Sequence, residues 1–126
     1  MLNKRPSKKE IFKKIQEAKR LVQTNKINVL NQDRGLFSDA QELGYDIQSE
    51  LKDLLIELLK NSCPSKYAGT YPPQKSYASK IKDMELWAFT VKTDFFDKEV
   101  KIYFKFSLKN GFFYLVSLHE DRGRKR

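Results

Sequence analysis

The 126-residue chain contains one cysteine, one histidine and one tryptophan, and these shortages exclude several kinds of site. Cys63 alone can form neither an internal disulfide nor a thiolate cluster for zinc, and a chain of this kind suits a reducing compartment. One histidine and one cysteine also lack the Cys–His spacing of the usual zinc sites. The sequence therefore predicts a cytoplasmic protein that carries no metal.

Long hydrophobic runs and glycine motifs are missing too. No run of about 18 apolar residues occurs, so neither a membrane span nor a membrane partner is expected. The five glycines form neither a dinucleotide-binding nor a phosphate-loop fingerprint. We therefore expect no cofactor.

Positive charge, by contrast, is plentiful. The chain has 25 Lys and Arg against 16 Asp and Glu, which gives a formal net charge of +9. A field of this sign attracts polyanions, so nucleic acid is the first partner to consider, although an acidic protein would suit the charge as well. Part of the charge falls in a basic N-terminal arm at residues 1–8 and a basic tail at residues 122–126. Between them, residues 9–121 are long enough for one domain with one core.

Three helices are predicted in the first half of the chain, because apolar residues recur there at helical spacing. Ser7 can cap the first helix, and Glu10 completes a capping-box pattern. A short extended piece at residues 27–30 follows this helix. The predicted bounds are Ser7 to Asn25 for the first helix, 32–43 with Gly44 as the stop for the second, and Asp46 as the cap to Pro64 as the breaker for the third.

The second half of the chain predicts a sheet. A breaker-rich loop over about residues 63–83 comes first, and such long loops are usually functional or disordered. In the longest strand, every second residue from Val100 to Leu108 is apolar, so one face must pack on the helices. The three antiparallel strands are predicted at residues 86–92, 100–108 and 112–119. The fold class is thus α+β, with N-terminal helices packed on one face of a three-stranded antiparallel sheet.

The register of the last strand depends on the turn at Asn110 and Gly111, because a shift of one residue exchanges its faces. A two-residue loop would put Ser117 and His119 on the core side, where a hydroxyl and an imidazole would lack partners. A three-residue loop, with Gly111 in a left-handed bulge, keeps the core side apolar. We therefore expect the three-residue loop, which pairs Phe104 with Val116, Ile102 with Leu118, Tyr103 with Ser117, and Lys101 with His119.

The other face of this sheet collects polar and basic side chains. An ordinary solvated sheet face would also carry lysine and tyrosine outward. The single histidine, His119, nevertheless falls beside Lys101 and near Tyr103, which favours a site. The expected members of this open face are Ala88, Thr90, Lys92, Lys101, Tyr103, Lys105, Leu115, Ser117 and His119.

Such a face suits the cleavage of RNA, which supplies its own nucleophile, the 2′-hydroxyl. His119 is suited to general acid or base catalysis, and Lys101 and Lys105 can neutralise charge that builds on the phosphate. Tyr103 can hydrogen-bond a phosphate or carry a proton. The candidate catalytic residues are His119, Tyr103 and Lys101; the candidate RNA- or phosphate-binding residues are Lys105, Lys92, Ser117, Lys66, Lys75, Lys80 and Lys82.

Several stretches resemble the mRNA interferase toxins of the motility quorum-sensing regulator (MqsR) type. They are Trp87, Tyr103-Phe104-Lys105 and Val116-Ser117-Leu118-His119-Glu120 in the second half, and residues 18–22 and 36–46 in the first. The resemblance runs from about residue 10 to residue 121. It implies a RelE-like fold, a bacterial origin, metal-independent endoribonuclease action on mRNA, and a cognate antitoxin as partner in a type II toxin–antitoxin system. The ribosome stays open as a further partner.

The resemblance also assigns roles at single positions. Tyr103 matches the family's catalytic tyrosine, and Lys105 matches the lysine two positions later. His119 stands where the family has a catalytic lysine, so the group that transfers the proton differs while its location is kept. The remaining departures are Ala88 in place of a glutamine after the strand tryptophan, and Ala68 in place of a lysine after the loop tyrosine, with Lys66 nearby.

Two other readings are compatible with the same residues. A non-catalytic RNA-binding module would use tyrosines to stack bases and lysines to follow the backbone, and it would bind RNA without cutting it. A protein-interaction domain would bind an acidic partner through the basic face and would have no affinity for RNA.

Overall fold

Caps begin the first and third helices and Gly44 follows the second, as the sequence predicts, but the third helix ends at Lys60 with Asn61 as its cap, before the predicted breaker Pro64. The Ser7 side chain accepts a hydrogen bond from the Glu10 backbone N–H at 3.1 Å and begins the first helix. Asp46 accepts from the Ser49 N–H at 2.9 Å and begins the third. Gly44, with a φ of +89°, follows the second helix in the left-handed conformation that glycine adopts without strain.

The computed structural model describes residues 5–30 and 35–121. The predicted start of the second helix at residues 32–34, the first four residues of the arm and the basic tail at residues 122–126 lie outside these ranges. Within them, no helix is long and apolar enough to cross a membrane. The helices are α1 (Lys8–Gln23), α2 (Gly35–Leu43) and α3 (Ile47–Lys60), and the strands are β1 (Ile27–Val29), β2 (Trp87–Thr93), β3 (Val100–Lys109) and β4 (Phe112–Glu120).

The described residues form a sheet of four strands in the order β1-β4-β3-β2, which corrects the predicted three. The short extended piece after α1 is an edge strand that runs parallel to β4, and Ile27 lies opposite Phe113. Parallel pairing connects distant parts of the chain and has no local turn signature, so a three-residue strand of this kind is hard to recognise. The α+β class is confirmed.

The predicted three-residue turn between β3 and β4 is wrong. Asn110 and Gly111 form a two-residue loop, with φ values of +52° and +75° that suit the right-handed twist of a hairpin. The change of face is made further along β4, where Val116 is an extra residue in a bulge. The observed pairs are Phe106 with Leu115, Lys105 with Ser117, Phe104 with Leu118, Tyr103 with His119, and Ile102 with Glu120.

The bulge allows β4 to keep an apolar core side after a two-residue loop. Before the bulge, Leu115 faces the core, where it is 1% exposed, and not the open face as predicted. After the bulge, Leu118 faces the core, and Ser117 and His119 face away from it, as predicted. A bulge therefore satisfies both the preferred turn and the apolar core, an arrangement that the choice between two regular loops did not include.

The two faces of the sheet are covered differently. The helices pack on one face and enclose the main core around Phe104, Phe106 and Trp87. On the other face, residues 74–86 cover the half of the sheet next to the β3–β4 turn, and the side chain of the buried Ser107 donates to the Glu85 carbonyl at 3.0 Å. This cover segment encloses a second small cluster of buried residues, consisting of Leu30, Ile81 and Leu86, against which Tyr114 and Val116 pack.

Candidate active site

The uncovered half of the open face carries three rows of side chains that cross the strands. Since β3 lies between β2 and β4, its residues form the middle of each row. Neighbouring rows are two residues apart along a strand, about 7 Å. The rows are Lys92 and Lys101; Thr90, Tyr103 and His119; and Ala88, Lys105 and Ser117. Ala88, which was expected on the open face, is buried at the β2 end of its row, with 2% of its surface exposed.

Tyr103 and His119 form the centre of this surface. Their rings stack with centroids 5.2 Å apart and planes inclined by 29°, and both side chains are half-buried. The Nδ1 atom of His119 lies 2.9 Å from the carbonyl oxygen of Glu120. Because a carbonyl only accepts hydrogen bonds, Nδ1 carries the proton of the neutral ring and Nε2 is its basic nitrogen.

Lysines lie on both sides of this central row. Lys105 is in the row towards the cover segment, and Lys101 is in the row towards the open end of the sheet. Lys101 is directly opposite Lys92, and two like charges in this position repel each other unless an anion lies between them. The Lys101 Nζ atom is 3.9 Å from the Asp121 carboxylate, a weak pair because both side chains are partly exposed. Asp121 follows the last predicted strand, and no sequence pattern marked it.

A groove of about 330 Å³ opens beside Lys92 and Lys101 at the edge of β2. It brings in Lys66 from the loop after α3, so three lysines line one groove, together with Thr90. Lys66, which was predicted as the available lysine near Ala68, where the resembled family has a lysine after the loop tyrosine, thus lines the same groove as Lys92 and Lys101. The other lining residues are Ser65, Tyr67, Ala68 and Val91.

The wall of this groove is fixed to the sheet. The Ala68 N–H donates to the Ala88 carbonyl at 2.8 Å, and the Tyr67 ring packs against Trp87 and Phe89. The Tyr67 hydroxyl donates to the Thr70 carbonyl at 2.6 Å, and burial raises the pKa of this phenol to about 12. Tyr67 is therefore a structural residue of the groove wall and stays neutral near pH 7.

Three predicted RNA-binding lysines lie elsewhere. Lys75 forms an isolated backbone β-bridge with Glu85 just before the start of β2, away from the central row. The Lys80 carbonyl accepts from the Lys109 side chain at 3.1 Å, which puts Lys80 at the turn end of β3. Lys109 is six residues from Tyr103, about 20 Å along a strand. Lys82 follows in the same cover segment, so these three lysines lie on the covered half of the sheet and not in the central row.

Among the described residues, no cluster of three His, Cys, Asp or Glu side chains could hold a metal ion. The site instead offers a basic imidazole nitrogen, a phenol and several ammonium groups. No protein-family model and no curated protein matches the chain.

Proposed function

We propose that this protein is a metal-independent endoribonuclease that cleaves mRNA by attack of the 2′-hydroxyl on the adjacent phosphate. The observation that carries the proposal is the contact of Tyr103 with His119 in the middle of a face whose neighbouring rows contain Lys101 and Lys105. An imidazole for proton transfer and ammonium groups for a phosphate are the groups that this reaction needs.

The reaction assigns a role to each of these side chains. Nε2 of His119 removes the proton of the 2′-hydroxyl as this oxygen forms its bond to phosphorus. Lys101 and Lys105 stabilise the negative charge that grows on the phosphate oxygens. The bond from phosphorus to the 5′ oxygen then breaks, and the leaving oxygen takes a proton from Tyr103. The products are a 2′,3′-cyclic phosphate and a 5′-hydroxyl.

The biological setting follows from the family resemblance of the strand motifs. We propose that the enzyme is the toxin of a bacterial type II toxin–antitoxin system with a RelE-like fold, that it acts in the cytoplasm, and that a cognate antitoxin restrains it. Lys66, Lys92 and Lys101 line one groove, which suits the phosphate that flanks the cleaved one.

The test is to incubate the purified protein with a mixed RNA in excess chelator and to identify the new RNA ends. Wild type should leave cyclic phosphate and 5′-hydroxyl ends. His119→Gln should slow cleavage by about 100-fold or more, the usual contribution of a general base. Lys105→Gln should slow it by a smaller factor. Lys98→Gln is the matched control, because Lys98 is exposed in the β2–β3 turn and should leave the rate unchanged.

The outcomes separate the candidate functions. Full activity of His119→Gln would refute the assigned mechanism. RNA that is bound but stays intact, with or without added ribosomes, would identify a non-catalytic RNA-binding module. Cleavage that appears only with ribosomes would keep the enzyme assignment and place the cutting on the ribosome. No RNA affinity would favour a domain that binds an acidic protein.

A further inference from the structure

Tyr77, in the cover segment, is 90% exposed, the highest value among the exposed large hydrophobic residues. An aromatic ring on a protein surface usually rests on neighbouring side chains, as the half-exposed Tyr71 does on Tyr67. Tyr77 instead presents almost its whole ring to solvent. Such a ring is available for stacking on a flat partner.

The backbone on either side of Tyr77 is ordered. The Ser76 N–H donates to the Met84 carbonyl, the Asp83 N–H donates to the Ser76 carbonyl, each at 2.9 Å, and the Ala78 N–H donates to the Ser76 hydroxyl at 3.0 Å. Ile81 is fully buried and fixes the segment to the sheet. The ring therefore stands on a fixed support, and stacking would require little ordering of the protein.

Tyr77 lies in the segment that borders the face with Tyr103 and His119. The neighbouring Ala78 packs in the second cluster together with Val116, and Val116 directly precedes Ser117 in β4. The cover segment thus forms the border of the uncovered face that holds His119. The segment also alternates this ring with exposed lysines, namely Lys75, Lys80 and Lys82.

We propose that Tyr77 stacks on an unpaired base of the bound RNA, a few nucleotides from the cleaved phosphate, while the lysines of the cover segment contact the flanking phosphates. The inference rests on the proposed function and names a further binding residue for the same substrate. Interleaved lysines and an exposed ring are the features with which proteins hold single-stranded nucleic acid. Stacking uses the ring alone, so the hydroxyl of Tyr77 is not required.

The experiment measures RNA affinity in the slowly cleaving His119→Gln protein, called the parent below, by fluorescence anisotropy of a labelled single-stranded RNA over a time in which the RNA stays intact. Adding Tyr77→Ala should weaken binding about 5- to 100-fold, the range found when a stacking aromatic is removed. Adding Tyr77→Phe should leave affinity unchanged, because it keeps the ring. Phe12→Ala is the control, since Phe12 is a 52% exposed aromatic on α1, in the layer on the opposite face of the sheet.

Two further readouts distinguish stacking from a general loss of structure or charge. The dependence of affinity on salt should keep its slope in Tyr77→Ala, because no phosphate contact is lost, whereas Lys80→Gln should reduce the slope by about one contact. In a series of RNAs that each lack one base, the affinity for the parent should fall when the missing base is the one that stacks on Tyr77. For the RNA that lacks this base, adding Tyr77→Ala should cause no further loss of affinity.

Equal RNA affinity of the parent and Tyr77→Ala would overturn the inference while leaving the endoribonuclease intact, provided that wild type cleaves RNA. A loss that Tyr77→Phe shares would also overturn it, because the hydroxyl would then be the contact. If the protein neither binds nor cleaves RNA, the proposed function fails, and this inference fails with it.

Discussion

Ile81 provides a test of how the cover segment is held, because it is the fully buried residue of the small second cluster. Ile81→Ala removes three carbon atoms from a packed site, which in protein cores costs about 2–5 kcal/mol. Among the residues that the structure describes, Leu30 and Leu86 are the other buried members of this cluster, so we expect the site to collapse partly. We therefore expect the lower end of the range, about 2 kcal/mol.

This cost should appear mainly as local opening of the cover segment. A change of about 2 kcal/mol raises the population of an open state roughly 30-fold, since 1.4 kcal/mol corresponds to a factor of ten. Lys80 and Lys82 are exposed trypsin sites on either side of Ile81. Cleavage at these two lysines under native conditions should accelerate by about the same factor, provided that opening is fast relative to cleavage.

Two control variants test whether the faster cleavage reflects local opening of the cover segment. Ile81→Val should accelerate the cleavage only a few-fold, because it removes a single carbon atom. Ile15→Ala, in α1 and 1% exposed in the main core, should lower the urea midpoint of the whole domain by a larger amount. If Ile81→Ala is cut at Lys80 and Lys82 at the wild-type rate, the cover segment is not held by this cluster.

Three further predictions concern stability. Burial raises the pKa of Tyr45 to about 12, and its hydroxyl has no hydrogen-bond partner in the described structure. Because Tyr45→Phe removes this unpaired hydroxyl, it should raise the free energy of unfolding by about 1 kcal/mol in urea titrations at pH 7. Below about pH 10 the phenol is neutral in both the folded and the unfolded chain, and its ionisation does not affect stability. Between about pH 10 and 12 the unfolded phenol loses its proton more readily than the folded one, so the free energy of unfolding of wild type should fall there more steeply than that of Tyr45→Phe. Hydrogen bonds from the Ser49 hydroxyl and backbone N–H lower the pKa of Asp46. The ionised carboxylate therefore stabilises the fold above about pH 4, and this stabilisation is lost as pH falls through the lowered pKa of the folded state. The difference in free energy of unfolding between wild type and Asp46→Ala should accordingly shrink in acid. Gly111→Ala should lower the free energy of unfolding by about 1–2 kcal/mol and reduce the melting temperature. A φ of +75° strains an L residue, even though the added carbon would meet open space. An unchanged melting temperature would contradict the turn geometry.

Local signals in the sequence predicted the helices and the strand faces. A cap such as Ser7 or Asp46 acts within one helical turn, and the alternation of apolar residues in β3 determines which side faces the core. These features depend only on neighbours in the chain. For that reason the basic open face with Tyr103 and His119 could be predicted as a set.

Contacts between distant segments could not be predicted in the same way. Two such contacts are the pairing of β1 with β4 and the packing of Ile81 against Leu30. Each joins residues far apart in the chain, and no turn or periodic pattern in the sequence indicates it. The groove wall at Ser65 and Lys66 is similar, because its place beside the sheet follows from backbone pairing of Ala68 with Ala88. The two-residue turn and the bulge at Val116 each shift the predicted register by one residue, and together they bring His119 opposite Tyr103 and not Lys101.

The same bulge has a consequence for how the length of β4 can vary. If Val116 were deleted, Leu115 would still point inward, Ser117 outward, Leu118 inward and His119 outward, because the strand would simply alternate without interruption. A deletion at Leu115 or Leu118 would instead remove a buried core side chain. A gap of one residue at position 116 thus preserves the face of every neighbouring side chain, and homologous strands of different length should be aligned here by face and not by residue count.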